Sequence, residues 1–439
     1  MKEKKLGFLE AFSIGVGGMV GGGIFAVLGL TIDLAKGAAP IAFLIAGFIA
    51  LVTAYSYAKL SVKYPSEGGS IEFIVQAFGN KILSSIANNL LLISYVIMLA
   101  LYASAFGSYG SALFLGHDVS WLHKILAVGV ISIFVLINLL GAFLTGKAED
   151  ILVYTKVAIL LAFIAIGFYT AQHFERLSPE YWEKFIKIVT GGLIIFLAYE
   201  GFELIANSAK DVKDPEKTLP KAFYASVIFV IFLYTTIAIV TIANVDFQTA
   251  KKAQDYVLAI AAEPLLGKAG FIIIAVAAML STASAINATI YGAGRAGYLI
   301  AKLGEIPKDF AKKIKNGYEG MIILGLMAIV FATSFNIENI SVAGSFGFLV
   351  IFGLVNYANF KLRSITGANA FLALLGTLLC FVSAGVLIGY NLIHNPQALQ
   401  SSAWVIFIVT VFTIIYKKLG GKMKKVLDEE LRDTISNTH

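Results

Sequence analysis

Gly15-Val16-Gly17-Gly18-Met19-Val20-Gly21-Gly22-Gly23-Ile24-Phe25 lies in the middle of the first long apolar run, and its reading decides the rest of the chain. Six of the nine residues from Gly15 to Gly23 are glycine. Each costs about 1 kcal/mol of helical preference relative to alanine, so the segment gives up roughly 6 kcal/mol. A helix that only had to cross a bilayer gains nothing from that loss. Backbone that leaves helical geometry inside hydrocarbon must bury its N–H and C=O groups in protein or turn them toward a polar cavity. The stretch therefore predicts a broken first helix whose exposed backbone grips a ligand near the membrane midplane. Tight helix packing is the other use of such glycines.

Composition sets the surroundings of this break. The chain has 439 residues, is 58% hydrophobic and 14% charged, and has a mean hydropathy of +0.83. Those values exclude a soluble domain and indicate a polytopic membrane protein. Runs of about 20 apolar residues predict twelve spans, near 8–33, 38–63, 70–106, 121–144, 148–172, 186–208, 220–244, 268–300, 319–335, 339–360, 369–391 and 401–419. The third is too long to stand upright, so it is tilted or begins with a surface turn, and a short loop at 107–120 follows it. With the N-terminus inside, 25 of the 34 Lys and Arg fall in cytoplasmic segments. This is the positive-inside bias, and it predicts a multi-pass protein of the cell membrane with both termini in the cytoplasm. The net charge of +7 then reflects topology rather than a nucleic acid partner. The basic loop 302–318 and the tail from Lys417 to Lys425 are expected to rest near anionic lipid headgroups. The lone Cys380 supports no disulfide framework. No motif calls for a metal or cofactor, and no H-E-x-x-H or G-x-S-x-G marks an enzyme.

The sixth span carries the second interruption, Phe196-Leu197-Ala198-Tyr199-Glu200-Gly201-Phe202-Glu203. Spans one and six stand five apart, and two five-span units have opposite orientations, as inverted repeats require. N–H groups and the positive end of a half-helix from Gly21, Gly22, Gly23 to Ile24 suit a carboxylate. Carbonyls freed near Phe196, Leu197 and Tyr199 suit an ammonium. Together they describe a pocket for a zwitterion, which is an amino acid. Glu200 and Glu203 either contact a cationic group of the substrate, titrate during transport, or give one member to an ion pair with Lys156. Lys156, in the fifth span, either snorkels back toward the interface or stays buried. Desolvation disfavours the ammonium form of a buried lysine, which suits it to gaining and losing a proton.

Three motifs carry a family resemblance. Gly21-Gly22-Gly23-Ile24-Phe25 is similar to the G-(S/A/G)-G-I-F element of the amino acid–polyamine–organocation (APC) transporters. Ala198 to Glu203 resembles their A-Y-x-G-F-(E/D) element, and Asp214-Pro215-Glu216-Lys217-Thr218-Leu219-Pro220-Lys221-Ala222 their N-P-(K/R)-x-(I/V)-P-(K/R)-A loop. The resemblance covers essentially the whole chain and is nearest to archaeal proton-coupled, broad-specificity members. It implies an all-α fold of twelve helices with a 5+5 inverted-repeat, leucine-transporter-like core in residues 1–360. Helices eleven and twelve and the tail, 361–439, then serve as scaffold or oligomer contacts. It also implies that Lys156 occupies the place of a sodium ion in sodium-coupled relatives, bridging the backbone near Gly17 and the hydroxyls of Ser281 and Ser284. Two positions depart from the pattern. Asp214 replaces the usual Asn, and Glu200 stands where relatives carry an apolar pocket residue, which favours a cationic substrate.

The expectation is a secondary amino acid transporter, with the proton as coupling ion on Lys156. A cationic amino acid or polyamine carrier or exchanger is the alternative within the class. An amino acid sensor on the same fold is the alternative outside it.

Overall fold

The computed structural model describes residues 5–141, 147–399, 402–403 and 405–418, with the side chains of 147–150 left aside. The chain is almost wholly helical. α1 (Phe8–Met19) and α2 (Gly23–Ala35) form one apolar pair bent by 45° at Val20–Gly22, where the glycine cluster predicts a break. α3 (Ala39–Lys63) follows, opened by Pro40 in its first turn, a position where the missing N–H costs nothing.

The third expected span is two helices. α4 (Ser70–Phe78) ends at Gly79, whose φ of +70° suits glycine, and α5 (Ile82–Leu115) then runs for 34 residues. The loop expected at 107–120 shrinks to 116–119, because Gly107 to Leu115 continue the α5 helix. α6 (Ser120–Leu139) and α7 (Lys147–Thr170) complete the first half.

The sixth expected span is α8 (Phe185–Ile194), a 3₁₀ segment (Phe196–Glu203) and the short α9 (Leu204–Asn207). Such a long 3₁₀ run inside a span marks a strained or functional position. α10 (Pro215–Asn244) begins with proline at its first position, and α11 (Phe247–Ala253) is capped by the Asp246 carboxylate. α12 (Val257–Lys302) is two helical pieces: the backbone leaves helical geometry at Leu266 and Gly267, the latter with φ +60°, so a short helix precedes the eighth span, which starts after the break as predicted. A two-stranded hairpin (Lys313–Ile314 with Gly317–Tyr318) leads into α13 (Glu319–Ser334). α14 (Ile337–Lys361), α15 (Arg363–Thr366) and α16 (Ala370–His394) come next. A last helix, α17, covers 405–418.

Among the described residues, nine helices are long and apolar enough to cross a membrane, or ten with the bent pair counted as one span. α13, at 16 residues, is a shorter apolar helix. Burial separates the layers. In the most apolar window of α5, 89% of residues are buried, against 28% for α6 and 39% for α16. α5 therefore threads the middle, while α6 and α16 turn much of their surface outward.

The two interrupted spans are tied at both ends. Near the N-terminus, Leu6 bridges Val212, with Leu6 N–H donating to Asp211 O at 2.8 Å and Lys213 N–H to Leu6 O at 2.8 Å. On the opposite face Lys36 bridges Trp182, and its Nζ lies 2.7 Å from a Glu183 carboxylate oxygen.

Candidate functional site

The breaks in the first and sixth spans cross in direct backbone contact. A Cβ on Gly201 would sit 2.2 Å from Gly18 C and 2.3 Å from Met19 N. A Cβ on Gly18 would in turn meet Gly201 O at 2.7 Å, and one on Gly23 would meet Ala198 Cα at 2.9 Å. Real Cβ atoms do not approach so closely, so these glycines allow the crossing. Every residue from Met19 to Ile32 and from Phe196 to Glu203 is buried.

Breaking two helices inside the protein frees backbone groups that need partners. Side chains from four other helices supply them. Lys156 Nζ (α7) donates to Gly17 O at 3.0 Å, Tyr234 OH (α10) to Met19 O at 2.6 Å, and Ser281 Oγ (α12) to Val20 O at 2.8 Å. At the second break Ser345 Oγ (α14) donates to Ile194 O at 2.6 Å and accepts from Leu197 N–H at 3.0 Å. Tyr199 OH donates to Phe43 O at 3.0 Å. The N–H groups of Gly23, Ile24 and Phe25 begin α2, where a helix start leaves its first N–H groups without intrahelical acceptors, and that of Ile24 points at the Tyr234 hydroxyl. The helix dipole adds positive potential there.

Lys156 does not run back toward the interface. Its side chain is 5% exposed, and it shares a small cavity of about 20 Å³ with Leu152, Ser281 and Ser284. Gly17, Lys156, Ser281 and Ser284 thus meet on one side of the first break.

The two acids of the sixth span face different surroundings. Glu203 is 1% exposed and accepts from Tyr95 OH at 2.6 Å, Ser70 Oγ at 2.9 Å and Tyr57 OH at 3.2 Å. Its carboxylate is enclosed by hydroxyls from α3, α4 and α5, on a different side from the α2 start. Glu200 is 5% exposed, lies beside the Tyr102 hydroxyl, and has one carboxylate oxygen, Oε2, without a hydrogen-bond partner among the described residues. The Tyr102 ring in turn covers Gly22, where a Cβ would fall 2.2 Å from Cδ1. Glu200 and Tyr102 therefore join the crossing of the breaks.

The aromatic residues of the 3₁₀ segment pack into the core. The Phe196 ring centroid is 5.8 Å from that of Phe352, Tyr199 is 5.2 Å from Tyr234, and Phe202 is 5.3 Å from both Tyr57 and Phe352. Sequence reasoning missed Tyr102, Tyr234 and Ser345. Each stands among other hydroxyl residues of its run (Ser104 near Tyr102, Thr235 and Thr236 beside Tyr234, Ser341 before Ser345), and nothing local distinguishes it from a packing residue.

A family model described as amino acid permease matches residues 6–416. An uncharacterized protein of Methanocaldococcus jannaschii is 34% identical, over 95% of this chain and 97% of its own length. The inner membrane transport protein YbaT of Escherichia coli is 33% identical, over 92% of this chain and 94% of its own. The chloroplastic cationic amino acid transporter 9 of Arabidopsis thaliana is 28% identical, over 70% of this chain and 57% of its own.

Proposed function

The chain belongs to the amino acid permeases of the APC family, and from that premise we propose that it carries an amino acid across the cell membrane by proton-coupled alternating access. Twelve spans build the carrier, with both termini in the cytoplasm. Residues 1–360 form two inverted five-span repeats, and 361–439 flank them. The substrate carboxylate binds the N–H groups of Gly21, Gly22, Gly23 and Ile24, with the α2 dipole behind them. The ammonium binds the carbonyls of Phe196, Leu197 and Tyr199. Glu200 shapes the end of the pocket that receives the side chain, and Glu203 braces the second break from behind.

One observation carries the coupling: the Lys156 ammonium is 3.0 Å from Gly17 O, one turn before the break that receives the substrate. While charged it clips α1 to α7 and, through Ser281 and Ser284, to α12. Losing its proton removes the charge that strengthens this hydrogen bond and loosens α1 from its surroundings. Proton release and opening are then one event. The unpartnered Oε2 of Glu200 favours a second reading, in which the substrate is a cationic amino acid or polyamine whose distal amine pairs with that carboxylate.

Counterflow in proteoliposomes against a panel of neutral amino acids, cationic amino acids and polyamines, with and without a pH gradient, tests both readings. Exchange of amino acids stimulated by external acid supports the main one. Binding without flux would replace the carrier with a sensor.

A further inference from the structure

On the face that carries the basic loop, a cavity of about 300 Å³ lies between α5, the turn at 306–310, α13 and α17. Leu92, Ile93, Ile306, Phe310, Met327 and Phe412 supply most of its wall. Asn89, the polar side chain among the lining residues, turns its amide donor to Thr413 Oγ1 at 2.7 Å. Phe310 is built in place: a Cβ on Gly320 would come 3.0 Å from both its ring and its carbonyl oxygen, and the ring also covers Gly297. Water is a poor occupant of such a space, because it needs two to four polar partners. In a membrane the available apolar occupant is an alkyl chain.

The rim supplies the opposite chemistry. Lys308 follows the lining residue Pro307 and is exposed, as are Lys312, Lys313 and Lys315. Lys417 lies five residues beyond Phe412 on α17, its Nζ held at Asn80 Oδ1 at 3.0 Å. The acids nearby offset part of this charge: Ser85 Oγ joins Lys417 Nζ, at 2.5 Å, to the Glu305 carboxylate, and the exposed remainder rests mainly on Lys308, Lys313 and Lys315. Glu305 is 1% exposed and turned inward to Ser85 Oγ at 2.8 Å and Asn88 Nδ2 at 2.9 Å. Glu319 pairs with Lys312 at 3.2 Å, leaving Asp309 as the exposed acid of the loop.

We propose that this cavity binds one anionic phospholipid, with an acyl chain against Leu92, Met327 and Phe412 and the phosphate at Lys308 and Lys417. Basic pockets between membrane helices on the cytoplasmic side recognise acidic headgroups in this way. The lipid would staple α17 to the scaffold helices α5 and α13, leaving the crossing of the breaks untouched.

The test adds dioleoylphosphatidylglycerol, dioleoylphosphatidylcholine or sn-glycerol 3-phosphate to the full-length protein in detergent and reads retained adducts by native mass spectrometry and melting temperature. The phosphatidylglycerol adduct should persist and raise the melting temperature, and the other two should do neither. The double variant Lys308→Gln/Lys417→Gln should bind phosphatidylglycerol about 30-fold more weakly, from roughly 1 kcal/mol for each lysine. Met327→Trp fills the cavity and should lose the adduct; if that variant does not fold, Ile93→Phe serves instead. Equal retention of the choline lipid overturns headgroup recognition. Competition by glycerol phosphate alone reduces the site to a surface anion patch and overturns the proposal. An unchanged adduct in a folded, cavity-filled variant overturns it as well.

Discussion

Replacing Gly201 with alanine adds one carbon at the closest point between the two broken spans. That carbon would lie 2.2 Å from Gly18 C and 2.3 Å from Met19 N, where a normal contact is 3.4 Å or more. Overpacking against movable side chains costs about 1–3 kcal/mol. Here the obstructing atoms are main chain, anchored through Met19 O to Tyr234 and Gly17 O to Lys156. They can shift only with the whole of α1, so we expect a loss at the top of that range, about 3 kcal/mol. The comparison is Gly292→Ala on α12, where a Cβ meets nothing within 4 Å and helix propensity alone predicts a gain of up to about 1 kcal/mol. Both variants are melted in detergent and assayed for uptake in proteoliposomes. Gly201→Ala should melt well below wild type and lose uptake, while Gly292→Ala should keep both. Gly18→Ala pushes apart the same crossing, so the double variant should cost less than the sum of the singles. A Gly201→Ala protein that melts and transports like wild type would refute the backbone crossing and the pocket built on it.

Other outcomes follow from the same geometry. Ser345→Ala leaves Ile194 O and Leu197 N–H without their shared hydroxyl and should cost about 1–3 kcal/mol, read as a lower melting temperature; an unchanged melt contradicts it. Glu200→Gln should reduce any preference for cationic over neutral substrates in counterflow, and an identical substrate profile would sink its role in specificity. In the loop before α8, the hydrogen bond from Lys36 and then that from Lys187 hold the Glu183 carboxyl below its ordinary range. A depressed carboxyl stabilises the fold above its unfolded value and loses that contribution as pH falls through the folded value. Acid melting below the ordinary glutamate range should therefore show a component that Glu183→Gln removes, and identical acid profiles would exclude it.

The sequence exposes the two breaks because they contradict their surroundings. Glycines crowded into an apolar run at Gly15–Gly23, and two acids flanking Gly201, are costly in a plain membrane helix and so point to another use. Lys156 is legible for the same reason. The break at Gly79 is harder to see, since apolar residues on either side make one long run of α4 and α5. The break before the eighth span is legible from Pro264 and Gly267, and the backbone does leave helical geometry at Leu266 and Gly267. Tyr102, Tyr234 and Ser345 become visible only when the chain is folded. Ser345 reaches carbonyls and amides about 150 residues away, and Tyr234 reaches Met19 across 215. Glu203 is the intermediate case: its burial is expected, but its enclosure by Tyr57, Ser70 and Tyr95 depends on three helices whose register no local pattern reveals.

In the proposed cycle the Lys156 ammonium on the Gly17 carbonyl couples proton movement to the crossing of the breaks. The most direct measurement is amino acid accumulation in proteoliposomes driven by an acid-outside pH gradient alone, comparing wild type with Lys156→Ala. The wild type should accumulate substrate above equilibrium and stop when the gradient is collapsed, while the variant should show no response to pH. Full gradient-driven accumulation by Lys156→Ala would contradict it.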